Sequence, residues 1–178
     1  MYTQPAEAKA AGILNNWLYK ISVRNRIQFS AITVKREVYE ALGSFYGVTY
    51  GEDWEMWVRI ASRYPVAYLP EVMADYRKHG GSITGDKITS GAFLDDLEKV
   101  MLAIRQLVTP DMQPTVLREA KRFYAGYGMR TAHQVWHAGY NEKQAKTIAK
   151  RALLMHQSFP MGWEALKLYI KIFLRRFL

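Results

Sequence analysis

The chain contains no cysteine in its 178 residues. A disulfide framework, a cysteine zinc ribbon and a thiol nucleophile are excluded, and a reducing compartment is permitted. No run of about 18 uncharged apolar residues occurs, so nothing in the sequence reads as a membrane span. The opening segment, Met1 to Glu7, has neither a basic leader nor an apolar core and is not read as a secretory signal. Proline is sparse, at six residues, and Pro65, Pro110 and Pro160 fall where helical patterns stop or start.

What remains is a globular composition. Hydrophobic residues make up 49% and charged residues 23%, which excludes a wholly disordered chain. The length fits one domain, two at most. The net charge of +9 is uneven. Residues 1–90 hold 11 bases and 9 acids, whereas residues 91–178 hold 14 bases and 7 acids. A basic second half fits a negatively charged partner, whether nucleic acid, anionic lipid or a phosphorylated substrate.

Hydrophobic spacing predicts an α+β chain. Ala6 to Tyr19 reads as a helix, Arg26 to Val34 as a strand, and Lys35 to Leu42 as a short helix stopped by Gly43. Ser44 to Gly51 reads as a loop. Glu52 to Tyr64 follows as a helix, with Trp54, Trp57, Val58 and Ala61 on one stripe. Two short strands, residues 66–69 and 72–78, should join 27–34 in a small mixed or antiparallel sheet. Beyond a polar, glycine-containing stretch the pattern is helical over 92–108, 114–137, 142–156 and 160–178. The expected division is 1–88 for the mixed part and 89–178 for a helical extension. Within it, one hairpin turns near Gly139.

Four places carry chemistry. Gly51-Glu52-Asp53-Trp54 opens a helix with adjacent carboxylates. Acids there complement the helix dipole and cap its free N–H groups; equally, one of them can face a cleft as a general base. Tyr76-Arg77-Lys78-His79-Gly80-Gly81-Ser82 runs off a strand into a tight turn. Arg77 offers a fork for phosphate, and His79 a metal ligand or a phosphate donor; the alternative is a solvated strand end. His133 and His137 stand at i, i+4, but Gln134 replaces the glutamate that a zinc-protease motif needs. The last helix sets Lys167, Lys171 and Arg175 on one narrow stripe beside a wide apolar arc. That pattern suits either a membrane interface or a core helix with snorkelling lysines.

Taken in order, these residues resemble the C-terminal, acceptor-side half of a glycosyltransferase family 2 catalytic domain of the GT-A type, from about Asn15 to Thr84. Arg26 to Arg36 is similar to that family's strand followed by two basic residues. Ala41 to Phe45 is similar to its Gly-x-Phe turn, and Gly51 to Arg59 to its E-D-W-E helix. Val66 to Pro70 and Tyr76 to Ser82 are similar to its closing strand and Y-R-x-H-x-x-S loop.

The resemblance implies an inverting, metal-dependent transfer of a sugar from a nucleotide-diphosphate donor to a hydroxyl acceptor. Asp53 is implied as the general base, with Glu52 and Trp54 flanking it at the acceptor. Arg77, His79 and Ser82 are implied in a loop over the diphosphate, with His79 a metal ligand in some members. The family's donor-binding half should precede this region, yet only about 25 residues come before the first expected strand, and no Asp-x-Asp occurs. Asp95-Asp96 lies in the wrong place for it. The expectation is therefore a fragment or split gene product, inactive alone. Its divalent metal (Mn or Mg) and its donor would be held mainly by the other half or by a separate donor-binding subunit.

A polysaccharide or lipid-linked acceptor would place the chain in the cytoplasm, peripheral at the inner membrane face through residues 160–178. The competing expectation is a non-enzymatic basic module that binds anionic membrane or nucleic acid. Nucleic acid is the poorer fit, because the bases are spread over several helices without a recognised motif.

Overall fold

The N-terminal segment does not form the long helix its alanines predict. In the computed structural model, which describes residues 5–45, 47–75, 87–88, 90–139 and 141–175, Gly12–Ile13 is instead a short strand, β1. It pairs antiparallel with β2, Ala67–Tyr68, Gly12 opposite Tyr68 and Ile13 opposite Ala67. The Leu14 N–H extends the ladder to the Val66 carbonyl at 2.9 Å. Asn16, at φ 53°, turns the chain into α1, Trp17–Val23.

The expected strand over 26–34 is also absent. Its alternation serves packing rather than a ladder. Ile27, Ile32 and Val34 lie against the core, and one 3-10 turn, Phe29–Ala31, sets the Phe29 ring 5.7 Å from Phe45 and 5.9 Å from Trp57. A strand needs a neighbouring backbone to satisfy its N–H and C=O groups, and among the described residues only β1 and β2 supply one another's. Among the described residues the expected three-stranded sheet reduces to one pair. Residues 72–75 are irregular, and 76–78 lie outside the described residues.

The remaining helices follow the hydrophobic period. They are α2 (Arg36–Leu42), α3 (Glu52–Ala61), α4 (Ala92–Arg105), α5 (Gln113–His137), α6 (Glu142–Met155) and α7 (Phe159–Leu174). Gly43 ends α2 at φ 81°, its N–H bonded to the Tyr39 carbonyl. Gly51 starts α3 at φ 89°, and a Cβ there would stand 3.3 Å from Leu97. The Asn141 side chain caps α6 by accepting from the Lys143 N–H at 2.6 Å.

Helix α3 is the centre of the molecule. Every residue from Trp54 to Ile60 is buried, between α1 on one side and α4 on another. The long α5 crosses α1 and α4 and forms an antiparallel hairpin with α6; α7 closes over that hairpin. Small residues permit the close approach: a Cβ on Gly128 would meet Leu94 at 3.0 Å and Ala152 at 3.2 Å. The architecture is thus mostly helical with one small antiparallel pair, α+β at a coarse level. One buried cluster runs from Trp17 to Ile172 across the boundary expected near residue 88. The Trp54 ring centroid lies 4.8 Å from that of Tyr124, the rings tilted by 42°, and the Tyr19 hydroxyl donates to Glu119 at 2.8 Å.

Candidate functional site around Asp53

Asp53 sits in the first turn of α3, half-buried, with both carboxylate oxygens engaged. Oδ1 accepts from the Trp54 backbone N–H at 2.7 Å, and Oδ2 accepts from the Asn25 side-chain amide at 3.0 Å. Asn25 follows α1 and is held twice. Its Oδ1 accepts from the Ile27 N–H at 3.1 Å, and its own backbone N–H donates to the Tyr124 hydroxyl at 3.0 Å. Two stretches of chain therefore meet at the carboxylate, and a third holds Asn25 in place through Tyr124.

Burial dominates the acid's electrostatics and raises its pKa. The hydrogen bonds from Trp54 and Asn25 pull it back, and the charge of Glu52 pushes it up again; the net position is above the ordinary carboxylate value. A helix N-terminus alone favours the ionised form, so here desolvation outweighs the dipole. Burial likewise pushes the Tyr124 and Tyr50 phenols up. The Tyr50 and Tyr127 hydroxyls lie 3.5 Å apart. The Tyr124 and Tyr50 phenols remain neutral hydrogen-bonding groups at ordinary pH.

The other expected residues divide. Glu52 is half-buried beside Asp53, and no cation among the described residues pairs with it. Trp54 is fully buried, and its indole N–H donates to the Ile21 carbonyl at 2.6 Å. It joins α3 to α1 and, being fully buried, has no ring face open to a substrate. Arg77, His79 and Ser82 lie outside the described residues. Among the described residues no group of three or more His, Asp or Glu side chains is placed to hold a metal. His133 and His137 both face α7. The ring of His133 is 3.1 Å from the Glu164 carbonyl, and that of His137 is 3.4 Å from Lys171 Nζ.

Sequence reasoning missed two features. Asn25 and Tyr124 carry no motif, and they reach the site only through tertiary contact. Glu55 and Arg59, in contrast, stand at the legible i, i+4 spacing and form a buried ion pair of 2.9 Å. Arg59 also donates to the Leu42 carbonyl at 2.5 Å and to the Ser44 carbonyl at 3.0 Å, which ties the end of α2 to α3.

No protein-family model, curated protein or solved structure matches the chain. Among the described residues no helix is long and apolar enough to cross a membrane.

Proposed function

We propose that this chain carries the acceptor-side half of a family 2-like glycosyltransferase site, with Asp53 as the base. The observation that supports it most is the half-buried Asp53 carboxylate, held by Asn25 and with its pKa raised. Each oxygen accepts a hydrogen bond from another residue, Trp54 or Asn25, and a carboxylate has lone pairs beyond these for a hydroxyl proton. A raised pKa makes the carboxylate a stronger base than an ordinary one, as general-base catalysis favours. The ordered series Ala41–Phe45, Gly51–Arg59 and Val66–Pro70 supports the same reading, whereas Arg26–Arg36 matches in residue order alone, without the strand.

On this reading Asp53 takes the proton of the acceptor hydroxyl as its oxygen attacks the anomeric carbon, and the nucleoside diphosphate leaves from the opposite face. Arg77, His79 and Ser82 would lie at the diphosphate. A divalent metal, when bound in the donor-binding half, supplies charge neutralisation to that leaving group. Ile13, Leu69, Val72 and Met73 are all more than half exposed, on β1 and on the chain that follows β2. Apolar exposure of that kind favours a covering partner, and the donor-binding half, contiguous or separate, is the partner proposed.

The test is transfer from a panel of nucleoside-diphosphate sugars to hydroxyl acceptors, using this chain together with its donor-binding half. Product with an inverted anomeric centre is expected. Asp53→Asn should lower kcat by roughly 100-fold or more; near-normal turnover in that variant would remove Asp53 as the base.

A further inference from the structure

Helix α7 carries two apolar stripes on different faces. Met161, Ala165, Leu168 and Ile172 are buried against α5 and α6. Phe159, Trp163, Leu166, Ile170 and Phe173 repeat with the same four-three spacing and are 87%, 53%, 48%, 46% and 58% exposed. One stripe suffices to dock a helix on its own fold. The second is a continuous apolar surface along nearly the whole helix, about 20 Å at the rise of an α-helix.

Bases border this surface on both sides. Lys167, Lys171 and Arg175 line one edge, with the Arg175 guanidinium 5.1 Å over the Trp136 ring. On the other edge Tyr169 lies beneath the Lys146 ammonium at 5.5 Å. There Lys143, Lys146 and Lys150 line a groove of about 490 Å³ between α6 and α7. Against these bases the two helices hold only Glu142 and Glu164, each already bridged to a lysine.

We infer that this face of α7 seats on a membrane surface rich in anionic lipid, with the helix lying in the interface plane. The apolar stripe enters the acyl boundary, Trp163 sits at the headgroup level, and the two basic borders meet the phosphates. A second copy is a poorer occupant. A two-fold contact through this stripe would bring basic borders onto basic borders with no acidic partner between them. Nucleic acid would match the bases but leave the apolar stripe without a role. Seating of this kind does not depend on the chemistry of Asp53.

The test is sedimentation of the full chain with vesicles of phosphatidylcholine alone and of phosphatidylcholine containing roughly 30% phosphatidylserine. Binding to the anionic vesicles should exceed that to neutral ones by about 10-fold or more and weaken with salt. Trp163→Glu and Ile170→Glu alter only exposed positions and should keep the helical circular dichroism while cutting binding about 10-fold or more. Lys167→Glu with Lys171→Glu should remove most of the preference for anionic vesicles. No binding, equal binding to both vesicles, or full binding by the Trp163 and Ile170 variants would overturn the inference. So would a dimer in solution that Ile170→Glu splits.

Discussion

Asn25 and Asp53, 28 residues apart in sequence, are joined by a 3.0 Å hydrogen bond whose direction a third group fixes. Because the Ile27 N–H occupies Asn25 Oδ1, the amide nitrogen must face the carboxylate. The Tyr124 hydroxyl anchors the Asn25 backbone from α5. The orientation of the acid thus depends on residues before and after α3 as well as on the helix itself.

Asn25→Ala removes a hydrogen bond that favours the ionised form of Asp53. Burial and the Glu52 charge are then less opposed, so the Asp53 titration should move to higher pH. The Ile27 N–H loses its partner too, and unfolding in urea should show a loss of about 1–2 kcal/mol. A titration that stays in place would mean that Asn25 does not tune the acid.

Asp53→Asn separates function from stability. The native pKa of Asp53 is raised above its ordinary 3.8. Between those two values the native state binds more protons than the unfolded chain, so stability falls as pH rises through that window and does not recover above it. The amide removes this penalty and sacrifices one hydrogen bond of about 1 kcal/mol. Urea unfolding near neutral pH should find the variant within about 1 kcal/mol of the parent, with a flatter pH dependence above 3.8. A loss of several kcal/mol would make Asp53 chiefly a structural cap.

Glu55→Ala leaves Arg59 buried beside the carbonyls of Leu42 and Ser44 without its carboxylate. Breaking a buried pair from one side costs about 3–5 kcal/mol. The double variant Glu55→Leu, Arg59→Met should recover part of that loss in chemical denaturation. If Glu55→Ala costs less than about 1 kcal/mol, the Glu55 carboxylate is not what holds Arg59 against the Leu42 and Ser44 carbonyls.

Asp96 predicts the acid limb of stability. Burial alone would raise its pKa, but the Lys87 ammonium bonded to it and the Lys99 ammonium at 3.5 Å outweigh burial and hold the carboxyl below 3.8. The unfolded chain then binds the proton first, so this stabilisation is present above 3.8 and disappears as pH falls through the lowered native value. Thermal unfolding of Asp96→Asn should be lower than the parent at neutral pH, the two converging in acid. Parallel curves at all pH values would contradict the assignment.

The helices were legible wherever the period and its punctuation agreed. Gly43 ends α2 and Gly51 opens α3, and Pro114 and Pro160 fall in the first turns of α5 and α7. The alanines of 6–11 misled, because the pairing of Ile13 with Ala67 outweighs local propensity. The alternation over 26–34 was real but does not distinguish a laddered strand from extended chain pinned by Phe29 and its ring neighbours. At the site, the residue type and position of Asp53 were readable, whereas Asn25 and Tyr124 join it through contacts spanning 28 and 99 residues. Nothing local encodes such distances.

Carbon-13 NMR titration of the Asp53 carboxyl in the intact chain decides between a poised base and a helix cap. A desolvated base should titrate above 3.8 and shift further upward in the Asn25→Ala variant. A helix cap held by the dipole and by backbone N–H groups should titrate below 3.8. The first result supports Asp53 as a poised proton acceptor; the second would contradict it and leave the carboxylate as the opening turn of α3.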